Sequence, residues 1–350
     1  MARKKKNKRI GLAVLAVILI LVAAGGFTAR AVFGPSVEAG DKGIAVYVPT
    51  GTTPKELAEL LKPHLRHTFL LGKMTEYAVR KKGDVHAGKF ILEDGMSTYE
   101  AIKMFFVGHG VEVAVRFNGT RGLETLAGTV SRQIEADSLS LMAAFQDKAV
   151  LDSLGLDSLT VLSVFIPNTY NFYWNTSAEE FFGRMLREYD RFWNESRREK
   201  AATEGLTPIQ VSTLASIVQA ETAKTDERPV VAGLYINRLK KGIRLQSDPT
   251  VIFAMRLSGK YTEPIRRVYL SDLKIKSPFN TYANKGLPPA PINIPDISSI
   301  DAVLDYTPHK YIYMCASVDR SGYHEFASSL AEHNKNRRKY IRWANENNIK

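Results

Sequence analysis

Residues 214–239 read LASIVQAETAKTDERPVVAGLYINRL, and the middle of that stretch decides how the C-terminal half is built. Leu214, Ile217 and Val218 recur at spacings of three and four, so they share one helix face. Glu221 follows on that face, where the apolar stripe should continue. A carboxylate there either reaches for water at a core edge or is held in a cleft that disfavours its charge. Upstream, Thr207 as N-cap, Pro208 at the first helical position and Gln210 complete a capping box. The helix they open is expected to reach about Lys224. A second helix is expected over 228–240, started by Pro229. Asp248-Pro249 in LQSDPTVIFAMRL reads as the cap and first-turn pair of a third.

Toward the N-terminus the signals become shorter. IAVYV, Ile44 to Val48, reads as a strand, and Thr53-x-x-Glu56 with Pro54 opens a helix. The pattern repeats with a strand over Lys89 to Leu92 and a helix behind Ser97-x-x-Glu100. Two short strands flanking helices resemble the small LysM-type glycan-binding module. VEVAVRFNG alternates as a strand, and LETLAGTVSRQI and LSLMAAFQDKAVLDSLG read as helices. FIPNTYNFYWN is an aromatic-rich loop in which Asn168 and Tyr170 set polar tips beside flat rings, a surface suited to sugars. Ser177-x-x-Glu180 caps the helix that follows, and its stripe of Phe181, Met185, Leu186, Tyr189 and Phe192 reads as core.

Charge and hydropathy define the N-terminal end. Net charge is +12 over 350 residues, and MARKKKNKR carries six of the positive charges with no acid. The excess over the rest is too diffuse for a nucleic-acid partner, which would need a basic face with interleaved aromatics. The basic stretch NKNRRKYIRWANENNIK reads as a solvated terminal helix face. Ile10 to Phe27 is 18 residues without a charge, about 27 Å of helix, close to a bilayer's hydrocarbon thickness. Basic residues before it place the N-terminus in the cytoplasm and the rest outside. Its length favours an uncleaved anchor over a signal peptide ending at Ala29-Arg30-Ala31. With no cysteine near the segment, a lipoprotein anchor is excluded. Cys315, the single cysteine, lies in YIYMCAS, an apolar stretch read as a buried strand. It can form no intrachain disulfide, and no metal-ligand spacing occurs.

The expected class is α+β, with a basic tip at 1–9, a transmembrane helix at 10–27 and a LysM-like subdomain at 40–116. A helical and aromatic-loop connecting region at 117–200 leads to a region at 201–350 that carries the helix-borne glutamate. Five motifs in fixed order are ETAKTDERPVVAGLYINRL, LQSDPTVIFA, SPFNTY, GLPPAPI and SGYHEFASSLAEHN. Together they resemble the YceG-like family of endolytic murein transglycosylases over roughly 40–345. PNTY at 167–170 stands where the family has PDTY. FNGT at 117–120 lacks the proline and acid of an I-P-E-G turn, and PINIPD lacks a terminal glycine.

The resemblance implies that Glu221 is catalytic and that the substrate is the MurNAc-β-1,4-GlcNAc bond inside peptidoglycan strands. The product is a 1,6-anhydro end, formed without water or a cofactor. Ordinary glycosidases need two carboxylates; here the sugar's own C6 hydroxyl is the nucleophile, so one suffices. Glu221 is then acid toward the glycosidic oxygen and base toward that hydroxyl, which requires a raised pKa. Gln246, Asn280, Thr281 and Tyr282 are candidates to bind sugar hydroxyls and acetamido groups. Asp248 is a possible second carboxylate, or simply a helix cap. Thr222 is placed to donate to the Glu221 carboxyl or to cap its own helix, and Asn237 and Arg238 to orient it or pin the fold. His324 and Glu325 are expected as site neighbours. The layout implies a single-pass protein of the cytoplasmic membrane with an extracytoplasmic enzyme region, peptidoglycan synthases being candidate partners. Alternatives are a catalytically silent glycan-binding or division scaffold, and a hydrolytic muramidase.

Overall fold

The computed structural model describes residues 2–259, 265 and 267–347, with side chains from residue 8 onward. The chain divides into two compact units, and it passes from one to the other at Val115–Arg116 and at Tyr170–Asn171, among other points.

The smaller unit begins with α1 (Ala2–Phe33), one continuous helix that includes the basic tip. Lys8–Phe33 is long and apolar enough to cross a membrane, and its most apolar 18 residues are unburied, whereas Ala31 near its end is buried. There follow β1 (Ile44–Val48), α2 (Pro54–Leu61), α3 (Leu71–Lys82), β2 (Gly88–Leu92) and α4 (Thr98–Val107). Strands β1 and β2 pair antiparallel, Ile44 opposite Leu92 and Val48 opposite Gly88. Alternation along β2 buries Gly88, Phe90 and Leu92 on one face. Phe90 meets Phe105 of α4 edge-on at 4.7 Å, in a core shared with Val48, Leu57 and Leu61. Both capping boxes close as expected: Glu56 accepts from the Thr53 N–H at 2.8 Å and Glu100 from the Ser97 N–H at 2.9 Å.

Strand β3 (Glu112–Phe117) leads to α5 (Leu123–Val130), α6 (Ser138–Phe145) and α7 (Lys148–Ser153). Next come β4 (Asn168–Tyr173), α8 (Ala178–Phe192) and α9 (Glu195–Thr203). The expected loop over FIPNTYNFYWN is largely a strand, β4, paired with β3; its alternation of buried Tyr170 and Phe172 with exposed neighbours was hidden by polar residues. The larger unit continues through α10 (Pro208–Glu221), α11 (Arg228–Lys240), α12 (Asp248–Leu257) and α13 (Ile297–Leu304). It ends with β5 (Tyr313–Ala316), β6 (His324–Ala327) and α14 (Leu330–Glu346). Strands β5 and β6 form an antiparallel hairpin, Cys315 opposite Glu325.

Helix α10 is the centre of this unit. Every residue from Val211 to Val218 is buried, against α9, α11, α12 and α13. It is therefore enclosed on all sides, not striped on one face, and even Ser216 is used internally, accepting from the Ile292 N–H at 3.0 Å. Gly233 on α11 lets the 307–309 segment approach; a Cβ there would lie 2.6 Å from the Thr307 carbonyl oxygen.

Candidate active site

Helix α10 ends at Glu221, three residues earlier than expected. Thr222 turns extended, at φ −136° and ψ 131°, and its Oγ1 accepts from the Lys224 N–H at 3.1 Å. That bond caps the α10–α11 turn, and among the described residues no hydrogen bond joins Thr222 to the Glu221 carboxyl. The early stop leaves Glu221 on the last turn, at the negative end of the helix dipole.

The Glu221 side chain lines a cavity of about 530 Å³. Its Oε1 accepts two hydrogen bonds, from Ser247 Oγ at 2.5 Å and from Tyr235 Oη at 2.7 Å. Among the described residues Oε2 accepts none. Burial pushes the Glu221 carboxyl above its ordinary pKa, and the charge of Asp248 adds to that. The Ser247 and Tyr235 hydrogen bonds and His324 act in the opposite direction. Desolvation is the largest influence, and it disfavours the charged form. Oε1 is thus pinned by its two donors.

Ser247 and Tyr235 were not singled out in the sequence. Tyr235 lies on α11, two turns past Pro229, inside an apolar pattern that reads as core. Ser247 is the true N-cap of α12, with Asp248 the first helical residue, correcting the expected Asp248 cap. Ser247 makes no side-chain capping bond, because its hydroxyl is turned to Glu221. Thr281 fixes that turn by accepting from the Ser247 N–H at 3.0 Å and bonding Thr250 Oγ1 at 2.8 Å. Gln246 sits at φ +53°, the left-handed region, a conformation that for this residue type needs support from its surroundings. Its support is Arg238, whose Nη2 donates to Gln246 Oε1 at 2.5 Å while Nη1 donates to the Ile312 carbonyl at 3.0 Å.

The expected site residues therefore sort by position. Gln246, Asp248, Tyr282, Arg238 and His324 line the cavity with Glu221. Tyr282 Oη donates to Asp248 Oδ1 at 2.6 Å. Asn280 and Thr281 are buried and do not; Asn280 donates to the Leu273 and Ile275 carbonyls, both at 2.9 Å. Asn237 donates to the His309 and Tyr311 carbonyls and pins the fold. Asn168 and Tyr170 are not among the residues lining the cavity: Tyr170 is buried, donates to the Ile166 carbonyl at 2.7 Å and stacks on Phe117. The FNGT turn bonds the PINIPD loop, Ile294 N–H to the Thr120 carbonyl at 2.9 Å, and neither lines the cavity.

His324 is set by Glu227, a buried carboxylate at the start of α11. The Glu227 oxygens take the His324 backbone N–H at 2.7 Å and its Nδ1 at 3.0 Å. Glu325 points elsewhere, accepting from Ser317 Oγ at 2.8 Å. Cys315, expected in a core, is only half-buried and lines the cavity wall. The opposite correction applies to α14: its Leu330, His333, Asn334 and Arg337 face the cavity, so the helix is not merely a solvated terminal face. Tyr313 of β5 stacks on His333, centroids 5.2 Å apart, which joins that helix to the hairpin. Among the described residues no cluster of His, Cys, Asp or Glu could hold a metal ion.

The YceG-like family model matches residues 46–339. The chain belongs to that family. It is 28% identical over 322 residues to the endolytic murein transglycosylase of Bacillus subtilis, covering 87% of this chain and 86% of that protein. To the endolytic murein transglycosylase of Streptococcus pneumoniae strain D39 it is 26% identical over 353 residues, 91% of this chain and 63% of that protein. A crystal structure of a yceG-like protein from Listeria monocytogenes aligns with a TM-score of 0.54 at 24% identity. That alignment covers 86% of this chain and 99% of that one, and speaks to the fold alone.

Proposed function

We propose that this chain is a membrane-anchored endolytic murein transglycosylase in which Glu221 is the catalytic acid and base. The carrying observation is a carboxyl on the last turn of a buried helix, lining an open cavity, with one oxygen held by Ser247 and Tyr235 and the other left for a proton. The names of the Bacillus and Streptococcus relatives support the substrate class.

In this reading Oε2–H protonates the oxygen between MurNAc and GlcNAc as the C1–O bond breaks. The resulting carboxylate then takes the proton of the MurNAc C6 hydroxyl as its oxygen closes on C1, leaving a 1,6-anhydro ring. Protons balance, and Glu221 returns to its neutral form. A group that is neutral before the first step and briefly charged after it needs desolvation to favour the acid and fixed donors to steady the anion. Burial and the two hydroxyls fill those roles. Tyr282, Gln246 and the α14 residues Asn334 and Arg337 line the same cavity and are the proposed sugar and stem contacts. Helix α1 is the proposed single-pass anchor in the cytoplasmic membrane, with both units on its outer side and newly made glycan within reach. The β1–α2–α3–β2 order supports a LysM-like role for the smaller unit.

One observation favours a hydrolytic second reading: Asp248 lines the same cavity, and a second carboxylate is what a water-activating mechanism needs. Mass spectrometry of murein digested by the full chain separates the two. Anhydro-MurNAc ends are expected. Reducing ends that vanish in Asp248→Asn would replace lytic transfer by hydrolysis, and no cleavage would overturn both.

A further inference from the structure

The smaller unit carries a second concavity, of about 370 Å³, between α3 and α4. Its floor includes Met74, Ile102 and Phe106, and its rim carries Lys73, Lys81, Lys82 and Lys103. No acidic residue lines it. Tyr77, also on its wall, is 64% exposed. A greasy floor inside a ring of four ammonium groups does not match a neutral sugar, which offers neither anions nor alkyl chains.

Its position relative to α1 says what it faces. Phe27, at the end of the apolar stretch over Ile10 to Phe27, stacks on Phe69 with centroids 6.0 Å apart. Phe33 lies against Tyr99 at 5.5 Å. Six residues of helix rise about 9 Å, comparable to one headgroup layer of a bilayer, at about 5–8 Å. Leu70, next to Phe69, and Tyr99 both line the concavity, so it opens within that layer when α1 spans the membrane. Phe69 is itself exposed. Aromatic and lysine side chains beside an apolar surface are what an interface selects.

We propose that the α3–α4 groove rests on an anionic phospholipid surface, its lysines on headgroup phosphates and its floor against acyl chains. The proposal goes beyond the transglycosylase reading and rests only on α1 as a span. Its effect would be to hold the smaller unit flat on the membrane instead of leaving it to swing on its tether. Each lysine near an anionic surface adds an attraction that falls off within a Debye length.

The test uses the full chain in nanodiscs, with a bimane fluorophore on Tyr77→Cys in a Cys315→Ser background and a brominated phospholipid as quencher. Quenching is expected to be about threefold stronger in phosphatidylglycerol-rich discs than in phosphatidylcholine discs. It should be lost in Lys73→Glu/Lys81→Glu/Lys103→Glu and halved in the corresponding glutamine triple, which keeps the proposal testable should the first variant not fold. Equal, weak quenching in both lipids overturns it. So does bimane protection produced by added glycan strands in phosphatidylcholine discs, or only when two chains share a disc. A chain that does not enter nanodiscs overturns the spanning reading of α1 as well.

Discussion

Glu221 and Glu227 stand six residues apart at two facing helix ends, and their surroundings differ in kind. Glu221 closes α10, at the negative end of that helix, and offers one oxygen to two hydroxyls. Glu227 precedes α11, at the positive end, and spends both oxygens on His324. In the proposed mechanism the first carboxyl exchanges a proton with the substrate in the cavity; the second is a bracket for the β6 strand. Glu227 is buried and Glu221 is half-buried at the cavity wall, so depth alone does not separate their roles. The helix end each occupies and the donors each meets are what distinguish them.

The comparison can be broken by substitution, beginning where the effect should be greatest. Glu221→Gln is expected to lower turnover by about 10²–10⁴-fold, the range for a lost general acid–base group, with the circular dichroism spectrum unchanged. Glu227→Gln should instead cost about 1–3 kcal/mol of stability, the scale of a buried hydrogen bond left unmade, read as a lower midpoint in urea. If Glu227→Gln silenced turnover without loss of stability, the assigned roles would have to be exchanged.

Ser247→Ala removes a donor that steadies the Glu221 anion, so the acid becomes weaker. Turnover is expected to fall by about tenfold, and the alkaline limb of the pH–rate profile should move to higher pH. A limb that moved down, or stayed in place, would remove Ser247 from the site.

The raised Glu221 pKa also bears on stability. A carboxyl whose folded pKa lies above its unfolded value holds extra protons in the native state. Its stabilising contribution is complete below the unfolded pKa and is lost as pH rises through the folded one. Glu221→Gln escapes that loss. The melting temperature of the variant minus that of the wild type should therefore increase from pH 4 to pH 8. Smallest of all, Tyr282→Phe frees Asp248 from one hydrogen bond and is expected to raise KM by a few-fold, about 0.5–1.5 kcal/mol, with kcat held. A change in kcat alone would place Asp248 in the chemistry, as the hydrolytic reading requires.

Much of the frame could be read from local signals. The boxes at Thr53, Ser97, Ser177 and Thr207 all close, because an N-cap contact spans only three residues and needs no other part of the chain. Helix α11 begins and ends as its Pro229 and periodicity predict, and β1 covers the expected five residues. The readings that shifted lie where distant contacts intervene. Asp248 looks like a cap until Ser247 is seen, and Ser247 is recognisable only beside a carboxylate that arrives from 26 residues away. Asn280 and Thr281 look like sugar ligands by type, yet they hold loop carbonyls and the Ser247 turn.

By itself the sequence determined the starts of the four box-capped helices, the apolar helix at the N-terminal end, the family motifs and the position of the unusual glutamate. These follow from periodicity and from contacts a few residues long. Only the tertiary structure decided which hydroxyls reach Glu221, that α14 and the β5–β6 hairpin wall its cavity, and which polar residues brace the fold instead. Those outcomes depend on segments up to a hundred residues apart meeting within hydrogen-bond distance, and no local pattern encodes that meeting.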